Sequence, residues 1–269
     1  MAGTPPPSRK LEELTWPEVR EALAAGYTTV VVAAGSIEQH GPHLSLLTDT
    51  LIGDGLAAAV VARLDGALQG PTIAFGCSEH HMSFPGTITL GEETFKATVK
   101  DVARSLGRHG FRTIYFVPSH GGNFAPLRTA IDEIGGRAGE ARVIAYTELR
   151  PFLEVMYASQ EPWGVTPAVA GAHAGNTETA LVLALRPDLA RPERAEAGFV
   201  GDFDERAQAT IFRDGLDALS PNGILGDARG ADASRGRACL DALAAHLAGW
   251  LPQQIEGAGT SSRVASAGG

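Results

Sequence analysis

The sequence has few cysteines, few basic residues and no long apolar run. Two cysteines, Cys77 and Cys239, are too few for a disulfide framework. Lysine and arginine total 22 against 31 aspartates and glutamates, a net charge of −9 that disfavours binding to nucleic acid or anionic membranes. No apolar run approaches the roughly 20 residues of a membrane-spanning helix, and the start lacks the apolar core of a secretory signal. These absences predict a cytoplasmic protein without nucleic-acid or membrane partners.

The 269 residues are sufficient for one large domain, and 44% of them are apolar, which is ordinary for a globular protein. Residues 1–11 contain three successive prolines and are predicted to form a disordered leader. Residues 253–269 are mostly small and polar, which predicts a disordered tail. A single domain is therefore expected over residues 12–252.

Apolar patterning within this domain alternates between strand and helix. Continuous β-branched runs such as residues 28–34 are typical of strands buried on both faces. Alternation of this kind predicts an α/β fold with a largely parallel sheet between two helical layers, and ligands then bind beyond the carboxyl ends of the strands. The strands are predicted at 28–34, 71–75, 112–117 and 142–146, and the helices at 50–64, 92–108, 123–134, 177–185 and 233–250.

Three glycine-flanked clusters of histidine and acidic residues occupy residues 35–49, 118–123 and 171–179, and the first two follow predicted strands. Glu38 and His40 point to the same side of an extended segment because side chains alternate with period two. Asp49, His120 and Glu178 would join them from the next helix start, the neighbouring strand end and the third cluster. Imidazole and carboxylate suit zinc, manganese or iron. Three carboxylates balance two divalent cations better than one, which favours a dinuclear site.

Four of these five residues also have a simpler interpretation. Asp49 would serve as a helix cap, Glu38 and Glu178 as solvated charges, and His120 as a hydrogen-bonded buried histidine. All four interpretations would have to hold together to remove the site. Two further histidines, His80 and His81, lie in a turn-rich loop and would either line the pocket or be exposed.

The clusters resemble those of the creatininase family of metal-dependent amidohydrolases, over roughly residues 12–252. The resemblance rests on four segments in the family's order: residues 35–43 (GSIEQHGPH) with Asp49, residues 84–87 (FPGT), residues 120–123 (HGGN), and residues 173–179 (HAGNTET). It implies a three-layer α/β/α fold, a dinuclear zinc or manganese centre and a homohexamer. It also implies that Glu38, Asp49 and His120 bind one metal, that His40, Asp49 and Glu178 bind the other, and that His173 transfers a proton.

One segment departs from creatininase itself, which has His-Tyr-Glu-Asn where this chain has residues 120–123. The carboxylate that would stand at position 122 is missing, so creatinine is not the expected substrate. Gly121, Gly122 and Asn123 are instead predicted to bind the substrate. The expected function is hydrolysis of a non-peptide amide C–N bond, cyclic or linear, in a small molecule. The alternatives are a family peptidase that trims a redox-cofactor precursor, and a non-catalytic metal- or metabolite-binding protein.

Overall fold

The computed structural model describes residues 5–264, with side chains for residues 5–255. Residues 1–4 and 265–269, the outer parts of the predicted leader and tail, lie outside the described residues. The strands are β1 (Thr29–Ala34), β2 (Ala67–Ile73), β3 (Thr113–Pro118), β4 (Arg137–Ala138) and β5 (Ala141–Ala145). The α-helices are α1 (Trp16–Ala24), α2 (Thr48–Val61), α3 (Glu92–Arg108), α4 (Phe124–Glu133), α5 (Leu149–Ala158), α6 (Pro167–Ala170), α7 (Asn176–Leu185), α8 (Glu205–Asp214) and α9 (Ala233–Val264).

The five strands form one sheet in the order β2-β1-β3-β5-β4, and only the short β4 runs antiparallel to its neighbour. Because β1 is apolar on both faces, it contributes to two cores. Val31 and Ala33 pack with α2, α5, α7 and α9. Val30 and Val32 pack with α1, α3 and α4 on the opposite face. The predicted α/β/α layering with a largely parallel sheet is therefore confirmed.

The sheet brings two loops to the same edge. β1 and β3 are parallel neighbours, and Ala34 at the end of β1 is in register with Pro118 at the end of β3. The chain therefore leaves both strands side by side at their carboxyl ends. The first two His/acid clusters begin at these two points.

Most predicted elements occur close to their expected positions. α3 matches its prediction at both ends, and the Thr15–Glu18 capping box starts α1, with the Thr15 amide donating to Glu18 at 2.7 Å. The strand predicted at 71–75 instead begins at Ala67. It continues through Pro71, which an edge strand tolerates because one side of its backbone needs no ladder partner.

Ordered structure extends into both predicted chain ends. Arg9 lies within the predicted leader, and its main-chain oxygen accepts from the main-chain N–H of Gln69 in β2 at 2.7 Å. This bond forms because the edge of β2 offers unpaired backbone groups. The last helix continues to Val264, well into the predicted tail. The boundaries of the domain remain a prediction. None of the helices within residues 5–264 combines the length and apolar character that a bilayer span requires.

Candidate metal centre

The five predicted ligand residues converge at the carboxyl edge of the sheet. Glu38 and His40 lie in the loop after β1, and Asp49 lies in the first turn of α2. His120 lies two residues after the end of β3, and Glu178 lies in the first turn of α7. The first four are buried, and the Glu178 side chain is only 12% exposed.

Asp49 lies at the centre of the cluster and directs its two oxygens to different histidines. Its Oδ1 atom is 3.2 Å from His40 Nε2, which is also 3.7 Å from Glu178 Oε2. Its Oδ2 atom is 3.2 Å from His120 Nδ1, which is also 3.2 Å from Glu38 Oε2. The donors therefore form two groups that share Asp49.

The simpler interpretations of Asp49 and Glu38 do not hold. Leu47, and not Asp49, occupies the N-cap of α2, and Glu38 is fully buried. Among the described residues, neither Glu38 oxygen nor Asp49 Oδ2 has a hydrogen-bond partner of ordinary geometry. A buried, unpaired carboxylate oxygen is costly unless a cation compensates it. This chemistry fits divalent metal ions.

Electrostatics within the cluster is strong. Burial raises the pKa of Glu38, but the neighbouring charges of His120 and His81 outweigh it and bring that pKa to about 2. Burial lowers the pKa of His40, yet Asp49 and Glu178 raise it overall to about 9. Burial raises the pKa of Glu178 to about 7. At neutral pH, His40 and part of the Glu178 population thus hold protons where a divalent cation would bind instead.

Main-chain carbonyls orient both predicted histidine ligands. His120 Nε2 lies 3.0 Å from the Cys77 oxygen, and His40 Nδ1 lies 3.2 Å from the Glu38 main-chain oxygen. Because a carbonyl accepts only, these nitrogens donate. The opposite nitrogens, His120 Nδ1 and His40 Nε2, are left to face the carboxylates, as the histidine ligands of metal sites do.

Two further histidines border the cluster. His173 Nδ1 lies 3.7 Å from Glu38 Oε1, and its ring centroid is 4.2 Å from that of His40. His81 Nε2 lies 3.3 Å from the same Glu38 oxygen. Three-residue sets that could hold a metal ion include Glu38, His81 and His173. His81 is thus buried beside the centre, where the sequence left exposure and burial as alternatives. A pocket opens beside the centre between Glu38, His81, His120 and His173, and the neighbouring His80 also lines it.

The three residues predicted to contact the substrate lie in different surroundings. The Asn123 side chain is fully buried and its amide makes main-chain hydrogen bonds, so its contact with substrate stays a prediction. It donates to the oxygens of Ala34 and Gly35 at 3.1 and 3.0 Å and accepts from the Cys77 amide at 3.1 Å. Gly121 lines the pocket beside the cluster. A Cβ atom at Gly122 would overlap His120 and the Cys77 oxygen, so glycine at this position leaves space for the His120 imidazole.

A groove of about 940 Å³ adjoins this pocket. Six residues line both: Leu149 and Leu153 of α5, Gln208 of α8, and Ala172, Phe203 and Leu225. The groove continues between α5 and the start of α8, where Tyr157 and Glu205 lie on its wall. The space that reaches the cluster is therefore much larger than a small cyclic amide.

Comparison with known proteins agrees with this geometry. The creatininase family model, described as creatinine amidohydrolase, matches residues 12–251. The mycofactocin precursor peptide peptidase of Mycobacterium ulcerans is 32% identical over 243 residues, covering 86% of this chain and 88% of that protein. The creatinine amidohydrolase of Pseudomonas putida is 32% identical over 199 residues, covering 68% and 74%. A solved mutant creatininase of the Zn–Zn type superposes with a TM-score of 0.72 at 26% identity, covering 92% of this chain and 98% of that one.

The family match spans nearly the whole described domain, and the five residues of the resemblance meet in space. The fold is that of the solved creatininase as well. The chain belongs to the creatininase family of hydrolases.

Proposed function

We propose that the protein is a metal-dependent amidohydrolase with a dinuclear centre. Glu38, Asp49 and His120 would hold one divalent ion, and His40, Asp49 and Glu178 the other. The observation that carries this proposal is the orientation of Asp49, whose two oxygens face separate donor groups. A carboxylate shared in this way suits a bridging ligand. Zinc and manganese are the expected ions, and iron has the same ligand preferences.

Two bound ions would lower the pKa of a shared water and polarise the substrate carbonyl. The protein would supply the remaining functions. His173 is buried beside Glu38 and His40, and burial together with the charge of His40 holds its pKa well below the usual value. A neutral imidazole at this position can accept a proton and pass it to the leaving nitrogen. The apolar walls of the pocket, including Phe212 and Leu216, would limit access of bulk water.

The first candidate substrate is a small non-peptide amide, cyclic or linear. The pocket beside Glu38 and His120 holds the predicted reacting groups, and Gly121 lies on its wall, where its main-chain amide would meet a substrate carbonyl. The chain has a glycine at position 122, so it lacks the additional carboxylate of creatininase itself. The proposed substrate is therefore a small amide other than creatinine.

The second candidate is a short peptide, which two observations favour. The mycofactocin precursor peptide peptidase matches a larger share of this chain than the creatinine amidohydrolase does. The groove of about 940 Å³ also offers room for residues on one side of a cleaved bond. This reading would retain the same metal ligands and the same role for His173.

One experiment tests these proposals together. Elemental analysis of the purified protein is combined with a hydrolysis screen of lactams, formamides and short peptides. We expect bound zinc or manganese and turnover of one class, and we expect His40→Ala to lose one ion together with the turnover. Bound metal without turnover of any amide would instead support the non-catalytic metal- or metabolite-binding alternative. The homohexamer and the cytoplasmic location remain predictions.

A further inference from the structure

Gln39 lies between two predicted ligand residues, Glu38 and His40, and it is 5% exposed. We propose that Gln39 is a positioning residue that sets the tautomers of His81 and His173. Its side chain would leave His81 with an N–H facing Glu38, and its main-chain carbonyl would leave His173 with an unprotonated nitrogen facing the centre. The consequence for catalysis rests on the proposed function, whereas the tautomers do not.

The orientation of the Gln39 amide follows from two main-chain groups. Its Oε1 atom accepts from the Gly41 amide at 2.9 Å, so this atom is the oxygen. Its Nε2 atom lies 3.2 Å from the Gly223 oxygen, which can only accept. If the oxygen and nitrogen were exchanged, the amide oxygen would face the Gly223 oxygen and the amide nitrogen would face the Gly41 N–H. The amide therefore has one favourable orientation.

Gly223 encloses this amide closely. Its φ is +77°, and a Cβ atom there would overlap the Gln39 side-chain atoms. Glycine suits the position for both reasons. The Gln39 side chain is consequently held between the loop after β1 and the segment before α9, with little freedom to rotate.

This orientation determines the tautomer of His81. Gln39 Nε2 lies 3.0 Å from His81 Nδ1 and donates to it, so Nδ1 carries no proton. The proton of a neutral His81 is then on Nε2, which lies 3.3 Å from Glu38 Oε1. His81 therefore turns its N–H toward Glu38 Oε1, an electrostatic contact without hydrogen-bond geometry, and it does not present a lone pair as a metal ligand would.

The main chain of residue 39 sets the tautomer of His173. The Gln39 oxygen lies 2.8 Å from His173 Nε2, so Nε2 carries the proton. Nδ1 is then unprotonated and faces Glu38 Oε1 at 3.7 Å. The side-chain Nε2 of Gln39 is also 2.9 Å from His173 Nε2, but its two hydrogens are directed to His81 Nδ1 and the Gly223 oxygen, so the main-chain oxygen of Gln39 sets this tautomer. His173 thus has a free nitrogen turned toward the metal ligands.

The test uses the ¹⁵N chemical shifts of the imidazole nitrogens, which distinguish the tautomers. In the zinc-loaded wild-type protein, we expect His81 and His173 both to carry the proton on Nε2. Gln39→Glu keeps the size but places an acceptor opposite His81, so a proton should appear on His81 Nδ1. His173 should not change, because the main chain holds it. Gln69→Met, a substitution of another buried glutamine, serves as the control and should leave both histidines as in wild type.

A second readout separates positioning from general stability. Gln39→Met removes the side-chain hydrogen bonds while keeping a similar size. We expect zinc affinity to fall about 10- to 100-fold, and we expect kcat to fall by a larger factor than KM changes. A wild-type His81 protonated on Nδ1, or unchanged His81 shifts in Gln39→Glu, would overturn the proposal. Because the shifts do not require turnover, the expected tautomers in a protein that hydrolyses no amide would contradict the proposed function alone.

Discussion

The Nε2 atom of His120 lies 3.0 Å from the main-chain oxygen of Cys77. This contact commits Nε2 to donation and turns Nδ1 toward Asp49. Gly122 borders the same space: a Cβ atom there would lie 2.5 Å from His120 Nε2 and overlap the Cys77 oxygen. The missing carboxylate at position 122 is thus matched by a local structure that leaves no room for a side chain.

Gly122→Ala should therefore weaken metal binding. The added methyl group would displace His120 or break its hydrogen bond with Cys77, and we expect zinc affinity to fall about 10- to 100-fold. Zinc titration against a competing chelator measures this effect. Gly121→Ala is the matched control, because its Cβ atom would meet open space. Equal affinities for the two variants would contradict the role given to Gly122.

Glu178→Gln should remove the ion held by His40 while the other ion stays. The amide keeps the size of Glu178 but loses the charge that stabilises a cation, and its oxygen can still accept from the Ala174 amide at 2.5 Å. Elemental analysis should show the metal content halved. Hydrolysis should fall to background, because both ions are needed to activate the water. Full metal content would remove Glu178 from the ligand set.

His173→Asn should separate metal binding from catalysis. His173 lies beside the cluster but belongs to neither proposed ligand group, so both ions should remain. Loss of proton transfer should lower kcat about 10²- to 10⁴-fold. Metal content and kcat are measured on the same preparation. A variant with wild-type kcat would exclude the proton-transfer role, and a variant without metal would make His173 a ligand.

Zinc binding should release protons at neutral pH. Without metal, the pKa of His40 is about 9, so His40 is charged at pH 7 and must lose its proton to bind a cation. Glu178, with a pKa of about 7, adds to this release. Calorimetry in buffers of different ionisation enthalpy counts the protons. We expect the number to decrease as the pH is raised through 9, and a number that does not depend on pH would contradict this account.

Asn123→Ala should lower stability, which distinguishes a structural role from the substrate contact first predicted for this side chain. Three main-chain groups of Ala34, Gly35 and Cys77 would lose their partner in a buried place. At about 1 kcal/mol for each hydrogen bond, the free energy of unfolding should fall by about 3 kcal/mol. Denaturant unfolding of the metal-free protein measures this. Unchanged stability with a raised KM would restore the substrate role.

The part of the site that the sequence predicts depends on local rules. The continuous β-branched runs of β1 and β3 are typical of buried parallel strands, and parallel neighbours end at the same edge. Period-two alternation places Glu38 and His40 on one side of the loop. Convergence of the three clusters follows from these rules and from the family resemblance.

The remainder depends on contacts between distant residues. His81 reaches Gln39 from a loop 42 positions away, and no local pattern distinguishes this from an exposed turn. Asn123 has the chemistry of a substrate contact, and only the fold shows that its amide is already in use. α5 and α8, which line the groove, were not predicted; Pro151 within α5 obscures the helical pattern.

The central claim is that Asp49 bridges two divalent ions. Anomalous diffraction at the zinc absorption edge, from crystals of the zinc-loaded protein, tests it most directly. We predict two peaks, one beside Glu38 and His120 and the other beside His40 and Glu178, each within bonding distance of one Asp49 oxygen. A single peak, or peaks away from Asp49, would contradict the account.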